Sequence, residues 1–398
     1  MPVIGGKPSS GAPTTAGEVF GLIRDGTVTT RTEVRTVTGL SRTAVSARVA
    51  ALAARGLVTE GKDGASTGGR PPTQLRFNAD AGVVLAVAIG RSRTQLAVAN
   101  LAGELTAQVD IDRESSVAPD ELMADVVKRA EVLLLDSAHD PATVLGVGLS
   151  LPGTVDLHRG ASLDSPVMSG WDGVELQTYF RAFTEAPVLV DNDANVMALV
   201  ERRSDHAGVD DLLLLKLSTG IGAGIIAGGT LQRGAIGAAG EFGHNKIVAA
   251  QGLPCRCGDT GCLEALAGGW ALVRTLRQQG HDVGHLRDVV ELAGHGEPEA
   301  RRLIREAGRH IGEAVAAAVN LLNPGVIVVG GDMAAAYDIL VAGFRETLYG
   351  NATALATRVL QVVPSSHGDR AALLGSAALI LDRILSPEAI DATLALRR

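Results

Sequence analysis

All three cysteines of the chain fall within two dozen residues, Glu241 to Glu264, which read EFGHNKIVAAQGLPCRCGDTGCLE. Such a cluster reads as a metal site, the alternative being a loop of incidental free cysteines with a core histidine nearby. His244, Cys255, Cys257 and Cys262 supply one imidazole and three thiolates, the soft and borderline donors of a closed tetrahedral Zn²⁺ site. Gly258 and Gly261 let the backbone turn tightly enough for the sulfurs to converge. An odd, clustered cysteine count opposes a secreted disulfide framework, which wants pairs spread along the chain. Four protein ligands leave no open position for a reactive water, so the expected metal is structural. The carboxylates Glu241 and Glu264 remain free for other work.

A length of 398 residues with 46% hydrophobic content suggests two or three domains with large cores. No window approaches the roughly 18 apolar residues of a membrane span, and the N-terminus lacks a signal-peptide pattern, so a cytoplasmic protein without membrane contact is expected. The formal charge of −8 conceals an asymmetry, because residues 1 to 80 carry ten Lys/Arg against six Asp/Glu. An acidic body repels nucleic acid, so any such contact falls to the basic head.

Residues 1–13 are rich in Gly, Pro and Ser and read as a flexible tail. Within 14–80, Ala16 to Asp25 and Thr30 to Val37 read as helices, with Val19, Leu22, Ile23, Val34 and Val37 inward. Ser41 caps a third helix whose Val45, Val49 and Leu52 form the buried stripe. A Gly turn between helices, followed by a basic, hydroxyl-rich leading end, is a helix-turn-helix pattern for double-stranded DNA. Arg42, Thr43 and Ser46 are the expected base-edge readers and Arg48 a phosphate contact. Residues 56–60 and 74–77 read as the strands of a wing, with Arg70 at its tip suited to a minor groove.

From residue 81 onward, short β-rich runs alternate with helical segments, the rhythm of α/β lobes whose ligands sit at the carboxyl ends of strands. Helices are expected near 121–136, 193–202, 263–279, 299–321 and 333–348. A first lobe over 81–192, completed by a C-terminal helix near 369–386, and a second over 193–368 holding the zinc site are the expected units. Three loops stand out: one containing Pro152 and Gly153, the strand end VDNDAN with Asn192 and Asp193, and the cysteine-rich stretch. Together Asn192, Asp193, Glu241, His244 and Glu264 form directional donors and acceptors suited to sugar hydroxyls. Asp193 could act as a general base on one of them. Asn192 and Asp193 could also cap the following helix, and Glu264 could serve as a first-turn carboxylate. His281, His285 and His295 lack a ligand set and read as solvated loop residues, and Trp171 and Trp270 as packing anchors.

At this point the chain resembles the ROK family of sugar kinases, sugar-responsive repressors and related open reading frames. The resemblance runs from residue 14 to the C-terminus and rests on CRCGDTGCLE after EFGH, VDNDAN, LSTGIGAGI, NPGVIVVGG and the joint GGRPP. It implies a winged helix-turn-helix followed by a two-lobed actin-like ATPase fold. It also implies sugar contacts at Gly153, Asn192, Asp193, Glu241, His244 and Glu264, with Asp193 at the kinase base position. Two departures matter. Where the family's kinases read DIGGTK, this chain reads Ala88-Ile89-Gly90-Arg91-Ser92-Arg93, which removes the acidic residue and a phosphate-approach glycine, so kinase activity is not expected. Val167 stands where sugar binders of the family commonly have Asn. The second glycine loop, Ser218 to Gly224, persists, and it suits either phosphate or close strand packing.

The expectation is therefore a sugar-responsive regulator, a repressor binding a palindromic operator as a homodimer or homotetramer, with a sugar or sugar derivative as effector. The alternatives are a sugar kinase with an accessory DNA-binding head and a constitutive DNA binder with an empty pocket.

Overall fold

The computed structural model describes residues 14–61, 73–112, 117–163 and 170–395. The tail 1–13, the wing tip with Arg70, and Val167 lie outside them. Thr15 and Thr30 each begin a helix by accepting the amide of a glutamate three residues on, Glu18 or Glu33, whose carboxylate accepts the threonine's own amide. This reciprocal cap satisfies two otherwise orphaned donors. The helices are α1 (Ala16–Arg24) and α2 (Arg31–Thr38); Gly39 ends α2 in the left-handed region at φ 69°. Ser41 then caps α3 (Arg42–Ala54) by accepting the Ala44 amide, and Val45, Val49 and Leu52 are buried as the pattern predicts. Strands β1 (Val58–Gly61) and β2 (Gln74–Phe77) pair antiparallel, Val58 opposite Phe77. Arg31 grips Glu60 through both guanidinium nitrogens, at 2.6 and 2.7 Å, and so ties α2 to the wing.

One inward assignment is corrected. Val37 is 45% exposed, because the buried stripe of the short α2 runs through Val34 and Thr38, four residues apart on one face. The head core instead gains Phe20, edge-on to Phe77 with ring centroids 5.7 Å apart.

The first body sheet comprises β3 (Val83–Ile89), β4 (Arg93–Asn100), β5 (Leu105–Asp112), β6 (Val144–Leu151) and β9 (Val188–Asn192) in the order β5-β4-β3-β6-β9. Helix α4 (Pro119–Asp136) precedes β6; the hairpin β7 (Thr154–Asp156) and β8 (Ala161–Leu163) and the short α5 (Gln177–Phe180) follow it. Strand alternation divides β3 between two cores. Val83, Leu85, Val87 and Ile89 pack with Met123, Val126 and Leu134 of α4, whereas Val84, Ala86 and Ala88 face the C-terminal helix 371–384 and the head. Strand β5 carries no continuous apolar run, since its residues alternate between exposed and half-buried along an edge, and sequence patterning misses it.

The second sheet repeats this plan. Helix α6 (Asp193–Arg203) leads to β10 (Leu212–Leu217), β11 (Ile221–Ala227) and β12 (Thr230–Gln232). Then come α7 (Leu263–Ala267), α8 (Gly269–Gln278), α9 (Leu286–Gly294), α10 (Pro298–Leu322), β13 (Val326–Gly330), α11 (Tyr337–Asn351), α12 (Ala354–Thr357) and β14 (Gln361–Pro364). The order β12-β11-β10-β13-β14 matches the first sheet, with three antiparallel strands followed by two parallel ones. The chain closes with α13 (Ala371–Ile384) and α14 (Pro387–Ala395). Helix α13 approaches the first sheet and α6 through glycines: a Cβ on Gly148 would lie 1.9 Å from the Ser376 carbonyl oxygen, and one on Gly375 2.1 Å from that of Val196.

Helix α14 lies beyond the elements expected from sequence, and it joins head to body. The Gly17 amide donates to Asp391 Oδ1 at 2.9 Å, Arg55 donates to the Thr393 carbonyl, and Ile390 enters the same core as Val19 and Ile23. Among the described residues, no helix is long and apolar enough to cross a membrane.

Candidate functional site

The carboxyl ends of β6, β9, β10 and β13 open on a cleft of about 820 Å³ between the two sheets. Gly153, Asn192, Asp193, Glu241, His244 and Glu264 all line it, although they come from four separate stretches of chain. Several of them are already engaged within the protein. Asn192 caps α6, its Oδ1 accepting the amides of Ala194 and Asn195, and its Nδ2 donates to the Gly153 carbonyl at 3.0 Å. The capping role allowed by the sequence is therefore realised, and the same bond sets the height of the Gly153 loop. Asp193, 9% exposed, pairs through Oδ2 with the Lys216 ammonium. One of the two oxygens a general base could use thus faces a cation.

Sequence reading missed Lys216, which lines the cleft, and Arg233, which pairs with Asp191 beside it. Asp191 is almost wholly buried, and its carboxylate accepts Arg233 Nε at 2.7 Å, the Asn192 amide at 2.7 Å and Asn195 Nδ2 at 2.9 Å. Glu264 is held at both oxygens, by the Ile221 amide at 2.9 Å and by Trp270 Nε1 at 3.1 Å. Gly220 and Gly224 of the second glycine loop serve close packing, their would-be Cβ atoms lying 2.5 Å from Glu264 Oε2 and 2.4 Å from the Ala194 carbonyl oxygen. Glu241 is freer, accepting from Thr154 Oγ1 at 3.1 Å with its other oxygen 3.8 Å from His244 Nε2.

His244 faces two ways. Nδ1 lies 3.8 Å from Cys255 Sγ, Cys257 Sγ and Cys262 Sγ are 3.7 Å apart, and the four ligand atoms all fall within 4.8 Å of one another. With a Zn–S bond of about 2.3 Å, neighbouring corners of a tetrahedron are separated by about 3.8 Å, so the donors fit such an ion. Lys246 Nζ donates to Cys262 Sγ at 3.2 Å, offering a positive charge beside a site where three thiolates would outweigh a divalent cation. These four residues form a candidate metal centre.

The loop Gly90–Arg93 lines the cleft. Arg93 pairs with Asp110 and, at 3.0 Å, with Asp369. His285 corrects an expectation, for it is half-buried and its Nε2 hydrogen-bonds Ser92 Oγ across 193 residues of sequence. Trp171, 1% exposed, is a packing anchor as expected, whereas Trp270 also has two arginines against its ring.

On the head, Arg42, Thr43 and Ser46 are exposed along α3. Arg48 is half-buried, and its guanidinium donates to the carbonyls of Thr14 and Ala44, where it braces the start of α1 against α3.

Fold and cleft together define a two-lobed actin-like protein bearing an N-terminal winged helix-turn-helix. Residues 84–383 match the ROK family, and the chain belongs to that family. It is 28% identical over 382 residues to the xylose repressor of Caldicellulosiruptor bescii, covering 92% of this chain and 95% of that protein. The crystal structure of a ROK family transcriptional regulator, a homologue of the E. coli MLC protein, superposes with a TM-score of 0.79 at 27% identity, covering 96% and 98% of the two chains. A ROK family glucokinase from Streptomyces griseus, in complex with glucose and AMPPNP, matches at 30% identity and TM-score 0.64, covering 75% of this chain and 99% of that one.

Proposed function

We propose that the protein is a sugar-responsive transcriptional repressor, whose winged helix-turn-helix binds a palindromic operator and whose cleft takes a sugar or sugar derivative. The observation that carries this reading is a DNA-binding type of head sharing one hydrophobic core with a cleft of directional polar groups. Similarity to a xylose repressor over head and body alike supports it. Arg42, Thr43 and Ser46 read base edges, Arg48 contacts a phosphate, and Arg70 reaches the minor groove. Gly153, Asn192, Asp193, Glu241, His244 and Glu264 hold the effector. His244, Cys255, Cys257 and Cys262 hold a structural Zn²⁺ that fixes the wall carrying Glu241 and Glu264.

The coupling route follows packed elements. Asp193 begins α6, α6 packs on α13 at Val196–Gly375, and α13 leads into α14, which holds α1. A ligand that draws the lobes together then moves the heads, and affinity for operator changes only if the two lobe arrangements bind the ligand unequally. Two heads in a homodimer, or four in a homotetramer, suit a symmetric site.

The kinase alternative is favoured by the glucokinase similarity and the Asp193 carboxylate, and opposed by Ala88 and Arg91 in the first loop and by the Lys216 pairing. Operator binding measured across a salt series separates the readings. Affinity falling steeply with salt and lost in Arg42→Ala supports the repressor. Salt-independent DNA binding, or ATP-dependent phosphorylation of a hexose abolished in Asp193→Asn, contradicts it.

A further inference from the structure

Beside the cleft, and sharing Arg91, Ser92, Thr219 and His285 with it, lies a second pocket of about 800 Å³. Arg91, Arg256, Arg274, Arg277, His285 and Trp270 line it, and its described lining includes no Asp or Glu. Such a concentration is unexpected in a body that is net acidic. The hydrogen-bond partners shown for Arg274 and Arg277 are neutral, the carbonyls of Ala265 and Val283, and Arg256 and Arg274 stand over the Trp270 ring at 5.4 and 4.7 Å from its centroid. Arg91 Nε, Arg256 Nη1 and His285 Nδ1 are buried without a hydrogen-bond partner among the described residues. Buried donors on cationic groups are costly when left unpaired. A group with several anionic acceptor oxygens resolves that cost, and guanidinium forks match phosphoryl oxygens in shape and charge.

From this geometry we infer that the pocket is an anion site for a phosphorylated small molecule, its phosphoryl group seated among Arg91, Arg256, Arg274 and Arg277. The shared wall lets the rest of the molecule extend into the cleft. This site stands whether or not a neutral sugar occupies the cleft. Its phosphoryl group could belong to a sugar phosphate that spans both pockets or to a free phosphate compound.

Calorimetric titration of the full chain with pyrophosphate, a hexose 6-phosphate and the neutral hexose tests the inference. Pyrophosphate is expected to bind, more weakly at higher salt. The double variant Arg91→Ala/Arg274→Gln should weaken phosphate binding by about tenfold or more. Arg129→Gln/Arg181→Gln, with the same loss of charge elsewhere on the surface, should leave it unchanged. Hexose 6-phosphate binding tighter than either pyrophosphate or hexose identifies a spanning ligand, and equal affinity for the two phosphate compounds identifies a free anion; both outcomes support the site. Thermal melting of each variant checks folding, and the exposed Arg277→Gln provides a second variant should the double one unfold. Absence of binding by both phosphate compounds, or wild-type phosphate affinity in the folded arginine variants, overturns the inference. Failure of the neutral hexose alone would count against the sugar reading and leave this one intact.

Discussion

Asp191 is buried one residue before the cleft, and its carboxylate accepts a hydrogen bond from Arg233, 42 residues away. Arg233→Ala would leave that buried carboxylate without its cationic partner, which should destabilise the protein by about 3 kcal/mol, read as a lowered midpoint in chemical denaturation. The sequence made Asn192 and Asp193 legible because a strand ended there in an amide and a carboxylate. It did not disclose Lys216 or Arg233, since ion pairs between distant segments leave no periodic trace. A lone lysine within the apolar run LLLLKL was the available signal for Lys216. The wall residues Glu241, His244 and Glu264 were readable for a different reason, their proximity to cysteines whose chemistry admits few uses.

At the scale of elements, the cysteine loop and the head helices behave differently. The loop from Asn245 to Gly261 contains only the 3₁₀ turn Val248–Ala250, short turns and the isolated bridges Lys246–Cys262 and Pro254–Thr260, so converging ligands would add substantially to its order. If a metal fills the His244–Cys255–Cys257–Cys262 centre, its chelation, or Cys257→Ser, is expected to lower the melting temperature and weaken sugar binding together, since Glu241 and Glu264 flank this loop. Helix α2 instead depends on its cap. The Thr29 amide, with Thr30, holds Glu33 below its ordinary value of 4.5. A lowered folded-state value stabilises above the unfolded value and is lost as pH falls through the lowered one. Stability of the wild type should therefore decline more steeply below pH 4.5 than that of Glu33→Gln, which lacks this titration. The three head helices were legible from caps and periodicity. The edge strand β5 was not, because alternating half-exposed residues resemble a polar loop.

Across the whole molecule, the sequence pattern divided head from body, whereas the structure joins them through α14. That helix offered a weak signal, nine residues with only Ile390 fully buried, and its partner surface lies at the other end of the chain. Ile390→Ala should cost about 2–4 kcal/mol in stability. If α14 carries the coupling, this variant should still bind sugar and operator while its operator affinity responds less to the sugar. The head shares a core with the first sheet and the C-terminal helices, so a movement of that lobe would carry the head with it. The most direct test is operator affinity of the full chain, measured by fluorescence anisotropy with and without a panel of sugars and sugar phosphates. At least one compound should shift the affinity in the wild type and fail to do so in Asp193→Ala. An affinity unchanged by every compound would contradict a sugar-responsive repressor and leave a constitutive DNA-binding protein in its place.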